Sequence, residues 1–100
     1  MAVGDIRAGV IEIPANSYAD ILAGSGEHWI IHNIYHEYDI RLCVVDKSYA
    51  VEKEVCFDEA QGKGVYAKFV FHVSDKFGLR IYNLDTENAR KIAYDGVQVK

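Results

Sequence analysis

Three of the four histidines, His28, His32 and His36, recur at every fourth position in one stretch. On a helix this spacing would place them on one face, where they could bind a metal ion. The residues between them are a tryptophan, three isoleucines, an asparagine and a tyrosine, which favour a strand. On a strand the three share a face, but successive histidines lie roughly 13 Å apart. The pattern therefore favours structural histidines, and a metal ion shared between subunits stays open.

A metal-dependent enzyme of the cupin type is the sharpest catalytic alternative, because such enzymes have a jelly-roll fold. They carry two closely alternating histidines, then a glutamate and a later histidine, all facing the interior. His72 could supply the later histidine, but the sequence contains no His-x-His pair. The spacing of the histidines argues against this class of enzyme.

The other residues that could do chemistry lack the partners that catalysis needs. Cys43 and Cys56 lie inside strand patterns, and we expect free thiols that pack as small apolar side chains, although a disulfide across a hairpin is geometrically possible. Glu52 and Glu54 flank Lys53 and are typical of solvated or cross-strand charges. The serines lack the Gly-x-Ser-x-Gly pattern of a nucleophile. We therefore expect no enzymatic activity and no cofactor.

Composition defines the broad class of the protein. The chain has 100 residues, of which 50% are hydrophobic and 12% aromatic, which suits a single domain over residues 1–100. A formal net charge of −4 argues against nucleic acid or an anionic membrane as a partner. The sequence contains no window of about 18 apolar residues, which is the length needed to span a bilayer. The N-terminus lacks the apolar region of a signal peptide, which indicates folding in a cytosol.

Short strands separated by turn residues must position these side chains. Turn residues recur about every 8–12 positions, which is typical of sandwiches and barrels. No segment keeps a helical period. The sequence predicts an all-β fold, an antiparallel β-sandwich of about eight strands most like a jelly roll, with an immunoglobulin-like sandwich as the alternative. The predicted strands cover residues 7–13, 15–22, 28–36, 40–45, 51–57, 66–73, 77–84 and 91–99.

Several predicted strands carry apolar residues on both faces. A sheet with one face in water should alternate apolar and polar residues more cleanly. We therefore expect part of the outer surface to be covered by another subunit. On one strand, Cys43 and Val45 lie on the face opposite Ile40, Leu42 and Val44. On other strands, the apolar residues off the predicted core face are Val65, Val70, Tyr82 and Leu84.

Exposed aromatic side chains are the best candidates for binding. Seven tyrosines are available, and tyrosine serves both protein interfaces and sugar-binding platforms. The sequence does not separate these two uses, so a carbohydrate-binding module stays open as an alternative. The residues predicted to dominate a contact between subunits are Trp29, Tyr35, Tyr38, Tyr66 and Tyr82.

Short motifs carry a resemblance to a known group of proteins. Ile13-Pro14-Ala15 is followed by residues 26–34, which read GEHWIIHNI, and near the end by Tyr94-Asp95-Gly96-Val97. With the aromatic-rich strands between them, these motifs resemble small structural proteins of tailed bacteriophages, which act as head-decoration (cement) proteins or as small fibre modules. The resemblance implies a β-sandwich without catalysis or cofactor that forms homotrimers or other rings.

The expected function is that of a virion structural protein. We expect a homotrimer that binds the major capsid protein or another virion protein, clamps the shell lattice, and is assembled in the cytoplasm of a bacterial host. The first alternative is a carbohydrate-binding or receptor-binding module of a phage fibre. The second is a cupin-type metalloenzyme.

Overall fold

The computed structural model describes residues 3–100 as strands joined by turns and loops. Among these residues there is no helix with the length and apolar character needed to cross a membrane. The strands are β1 (Ile6–Ile13), β2 (Tyr18–Ile21), β3 (Trp29–His36), β4 (Ile40–Asp46), β5 (Lys53–Ala60), β6 (Gly64–Tyr66), β7 (Phe71–Val73), β8 (Phe77–Asn83) and β9 (Arg90–Gln98).

The strands form two antiparallel sheets. Sheet A has the order β1-β9-β3-β6, with β7 also paired to β3, and sheet B has the order β2-β8-β4-β5. When β6 and β7 are counted as one interrupted strand, this is the order of an eight-stranded jelly roll. The prediction of an all-β antiparallel sandwich is confirmed.

The predicted strand over residues 66–73 is divided in two. β6 pairs with residues 34–36 of β3, and β7 pairs with residues 29–31. Four residues, 67–70, then face only two residues of β3, so the excess must loop out of the sheet. The predicted fifth strand also shifts toward the C-terminus, because Asp58 and Glu59 pair with β4 instead of opening a loop.

The core lies between the two sheets and consists of the inward-facing aliphatic residues of both. Ile40 and Leu42 face it as predicted, and Leu42 lies directly beside Ile81 of β8. Phe71 packs against the core, whereas Phe69 is 55% exposed in the loop between β6 and β7. The fully buried members are mostly isoleucines and leucines, including Ile13, Ile31, Ile34, Leu42, Leu79 and Ile81.

Cys43 and Cys56 form a disulfide, so the expectation of free thiols is wrong. A β-bulge lies where Leu42 pairs with Asp58 and Cys43 with Cys56, because Phe57 is an extra residue on β5. The bulge sets the two cysteines directly opposite each other on neighbouring strands. The expectation rested on the compartment inferred from the N-terminus, which carries no information about this register.

Removing the disulfide should lower the free energy of unfolding by about 3 kcal/mol, because the link restricts the conformations of the unfolded chain between positions 13 residues apart. The variant Cys43→Ala/Cys56→Ala should show this loss in urea unfolding at fixed protein concentration. Reductant should shift the wild-type midpoint toward that of the variant and leave the variant unchanged. A wild-type midpoint that does not respond to reductant would contradict the expectation.

Candidate interaction surfaces

The outer face of sheet B is closed by an ionic cluster around Arg80. Arg80 lies on β8 and is only 4% exposed. Its guanidinium donates hydrogen bonds to Asp20 at 2.7 Å, Glu52 at 2.6 Å and Glu54 at 2.8 Å. The ring of Tyr18 packs against it, with 4.0 Å between the guanidinium carbon and the ring centroid. Four of the five N–H groups of this cation therefore donate to carboxylates within the chain.

The charges of this cluster stabilise one another. Burial raises the pKa of Asp20, but hydrogen bonds from Arg80 and Lys47 outweigh it, and the net pKa lies below the usual value. The hydrogen bond to Asp20 in turn raises the pKa of Arg80. Hydrogen bonds from Tyr82 and then Arg80 lower the pKa of Glu54. These groups stay ionised near neutral pH and are paired, so this face offers a ligand little free charge.

The chain itself covers the apolar residues of this face. Cys43 and Val45 point away from the core, yet both are fully buried. Val45 lies beside Gly78, and the side chain of Leu22 sits over Gly78, where a Cβ atom would come within 2.5 Å of it. Cys43 lies beside Arg80 and is bonded to Cys56. On sheet B the cover expected from a second subunit is thus intramolecular.

Stability should fall as the pH drops from about 4 toward 2. Backbone hydrogen bonds from Glu87, together with the ion pair to Arg90, lower the pKa of Asp85 to about 2. Because the folded pKa lies below the unfolded value of about 3.8, the stabilisation is present above the unfolded pKa and lost as pH falls through the folded one. Asp85→Asn should be less stable than wild type at pH 5 in urea unfolding, and equal near pH 2. A pH-independent difference would contradict this.

The outer face of sheet A carries two apolar rows, which are separated by Ala8, Asp95 and Asn33. Register places Val10, Ala93, Tyr35 and Val65 side by side across β1, β9, β3 and β6. Val10 is 71% exposed, Val65 54% and Tyr35 38%. A second row crosses the sheet nearer its other end and consists of Ile6, Val97, Ile30 and His72. In contrast to sheet B, nothing in residues 3–100 closes this face.

The first row forms the floor of a groove of about 390 Å³, called here the tyrosine groove. The hydroxyl of Tyr35 donates to Asp95, whose other oxygen accepts a hydrogen bond from Asn33 at 2.9 Å, so the tyrosine is tethered to the sheet. Lys63, Lys91 and Glu37 line the groove, and Glu37 accepts a hydrogen bond from the backbone N–H of Lys91. Neither lysine has an ion pair with any residue from 3 to 100. The groove therefore combines an apolar floor with two unpaired cations.

A second apolar surface lies where β5 meets the interrupted strands β6 and β7. Ring centroids are 5.6 Å apart for Phe57 and Phe71, 6.2 Å for Phe71 and Tyr66, and 6.4 Å for Tyr66 and Phe69. This surface is called here the open edge. It is exposed because β6 and β7 have only three residues each and do not cover it. Its members exposed to solvent are Val55, Phe57, Phe69 and Val70, with exposed fractions between 39% and 65%.

The five predicted contact residues lie on separate parts of the protein. Tyr35 is in the tyrosine groove, and Tyr66 lies beneath the open edge, only 3% exposed and bonded to Asp58. Tyr82 belongs to the ionic cluster. Half-buried Trp29 packs under Arg7, and Tyr38 packs against Arg90. Sequence reasoning missed Val10, Val55, Phe57 and Phe69, although apolar residues on both faces of their strands were a usable signal.

The histidines do not share a face, so that part of the prediction is wrong. A β-bulge between Ile31 and Asn33 reverses the alternation of β3. His36 turns inward, with its Nδ1 atom 2.6 Å from the Gly62 carbonyl oxygen, whereas His28 packs on the ring of His72. Within residues 3–100 no three histidine, cysteine or carboxylate side chains gather as metal ligands would.

No protein-family model matches the sequence, and no curated protein sequence matches it significantly. The function is therefore inferred from the two apolar surfaces, the tyrosine groove and the open edge.

Proposed function

We propose that the protein is a non-enzymatic structural protein of a phage virion that decorates the capsid as a homotrimer and clamps the shell lattice. The observation that carries this proposal is the pair of separate apolar surfaces, the tyrosine groove and the open edge. Large exposed apolar patches on small soluble domains mark interaction sites. The jelly-roll order of the sheets supports the proposal, because this architecture recurs in viral shell proteins.

Two unlike surfaces suit a ring. If the open edge of one subunit packs into the tyrosine groove of the next, the contact is heterologous, and repetition of one rotation closes it into a cycle. Aromatic side chains dominate the binding energy of many interfaces. Phe57 and Phe69 of the open edge would pack on the apolar floor of the groove. The choice of three subunits for the ring rests on the resemblance to decoration proteins.

The available area is of the right order. Four strands about 4.8 Å apart and about 27 Å long give sheet A a flat area on the order of 500 Å². Protruding side chains such as Ile6 and Val10 increase the accessible area, and a stable interface takes about 800 Å² from each partner. A closed ring then presents three identical surfaces to the shell, so that weak single contacts add up to firm attachment.

Two variants test the ring. Val65→Asp places a carboxylate in the tyrosine groove, and Phe69→Asp places one in the open edge. Both positions are more than half exposed, so the fold should survive. Each variant should be monomeric by light scattering behind a sizing column at low micromolar concentration. Val51→Asp, at a position that is 79% exposed outside both surfaces, should stay trimeric.

Mixing the two variants tests the heterologous contact. The mixture contains one intact open edge and one intact groove, so it should form a dimer and no closed trimer. Trimers that persist in either single variant, or a mixture that stays monomeric, would contradict the proposed contact.

A carbohydrate-binding function is the second candidate, favoured by the tethered ring of Tyr35. A tyrosine held against a sheet beside Asn33 and Asp95 offers a sugar a stacking surface and hydrogen-bonding groups. The unpaired cations Lys63 and Lys91 would select an acidic saccharide. Calorimetric titration with uronic-acid oligosaccharides should then show binding that Tyr35→Ala removes and that neutral oligosaccharides do not reproduce. Absence of heat with the acidic sugars would reject this candidate.

A further inference from the structure

The sandwich has free strand edges on both sides, at β1 and at β6 and β7 in sheet A, and at β2 and β5 in sheet B. A free edge carries unpaired backbone N–H and C=O groups and can accept a strand from another chain. Natural proteins block such edges with short strands, interruptions, bulges or charges. The four edges can therefore be compared by the device that each one carries.

Three of the four edges are blocked. β2 has only four residues, and the edge formed by β6 and β7 consists of two three-residue pieces. β5 is long, but it bulges at Phe57, is tied by the disulfide, and carries the charged residues Lys53, Glu54, Asp58 and Glu59. Each of these edges is a poor template for another strand.

The β1 edge carries the fewest of these devices, because its only charged residues are the inward-pointing Arg7 and the outward-pointing Glu12. Its eight residues stay in one unbroken register with β9, from Ile6 beside Val97 to Ile13 beside Arg90. It contains no proline and no lysine, and its outward side chains Ile6 and Val10 are 75% and 71% exposed. Among residues 3–100, β9 is the only strand hydrogen-bonded to it.

The charges of β1 favour a second copy in the antiparallel direction. Arg7 points inward and is bonded to Gln98 and Glu27, so Glu12 is the only charged side chain on the outward face of the strand. Antiparallel pairing centred on Val10 keeps both outward faces on one side and sets Glu12 opposite Ala8 of the other copy. The two Glu12 carboxylates then lie roughly 13 Å apart, beyond the Debye length at physiological salt. Parallel pairing would set them side by side and cost stability.

We propose that β1 pairs antiparallel with β1 of a second copy of this chain across a two-fold axis, which joins two sheets A into one. The Val10 side chains of the two copies then lie near the axis, and the apolar row through Ala93 and Tyr35 continues across the seam. This contact does not depend on the virion assignment. If the proposed function holds, the two-fold contact links neighbouring rings, because three-fold positions of a lattice are related by two-fold axes.

Opposite charges at Ala8 test the pairing. Ala8 is exposed on the outward face of β1 and lies outside the tyrosine groove. In the antiparallel seam, position 8 falls opposite Glu12 of the other copy. Ala8→Glu should abolish the pairing by repulsion, whereas Ala8→Lys should preserve it. Because Ala8 also lies beside Asp95 of β9, each charge acts within the chain as well, so the pairing is judged from the concentration dependence within each variant.

The pairing is measured on the full chain by sedimentation equilibrium and by amide hydrogen exchange at low and high protein concentration. Exchange across residues 6–13 should slow at high concentration in wild type and in Ala8→Lys, and not in Ala8→Glu. Equal behaviour of both variants, or exchange that is independent of concentration in wild type, would overturn the inference. Pairs without trimers would refute the proposed ring alone, and trimers without protected β1 amides would refute the two-fold contact alone.

Discussion

Gly96→Ala should destabilise the fold by about 4 kcal/mol, the largest effect that we expect from a single methyl group. A Cβ atom at Gly96 would lie 2.0 Å from the carbonyl oxygen of Ile30 and 2.9 Å from the Cα atom of Ile31. Both atoms belong to the backbone of β3 next to its bulge, so no side-chain rotation can relieve the overlap. The midpoint of urea unfolding measures the loss.

Gly64→Ala is the matched control. A Cβ atom there would meet only the ring of His36 at 3.7 Å, an ordinary contact distance. Its expected effect is below about 0.5 kcal/mol, as for most surface substitutions. Equal losses in the two variants would show that the close approach of β9 to β3 does not determine the cost.

Arg80→Met should lower the free energy of unfolding by about 3 kcal/mol. The substitution keeps most of the buried volume but leaves Asp20, Glu52 and Glu54 close together without their shared cation. Removing one partner of a buried ion pair costs about 3–5 kcal/mol. The lower figure applies because the side chains of Glu52 and Glu54 remain about one-third exposed and are screened by solvent.

Arg41→Met provides the comparison for Arg80→Met. The Arg41–Glu59 pair is 43% and 48% exposed, and such pairs contribute about 0–1 kcal/mol.

The deficit of Arg80→Met should also shrink at pH 3, because protonation of the carboxylates removes their repulsion. Unfolding at pH 7 and pH 3 separates the two effects, and a deficit that is the same at both values would contradict an electrostatic cause.

Strand pattern and turn residues were sufficient to predict the class of fold, because side-chain alternation is a local property. Residues 40–45 alternate clearly, and the structure has β4 there. The division of β6 from β7 and the bulge in β3 were not predictable, because each depends on the register between strands distant in sequence. The disulfide depends on the bulge within the β4–β5 hairpin, which the strand pattern does not reveal. The bulge in β3 alone accounts for the wrong placement of His36.

The surfaces were predictable only in outline. Apolar residues on both faces indicated that some outer surface is covered, but not whether the chain or a partner covers it. Val45 is covered by the chain itself, whereas Val65 remains exposed. The pattern could not make this distinction, because the cover of sheet B comes from Leu22 and from charged side chains around Arg80. Tyrosine is a residue type common at interfaces, so Tyr66 was predicted as a contact residue, but it lies in the core.

The molar mass of the purified chain in solution tests the central claim most directly, measured by light scattering behind a sizing column over a dilution series into the low micromolar range. We expect a species of three 11.3 kDa chains that resists dilution, with larger species only at high concentration. A monomer at every concentration would contradict it.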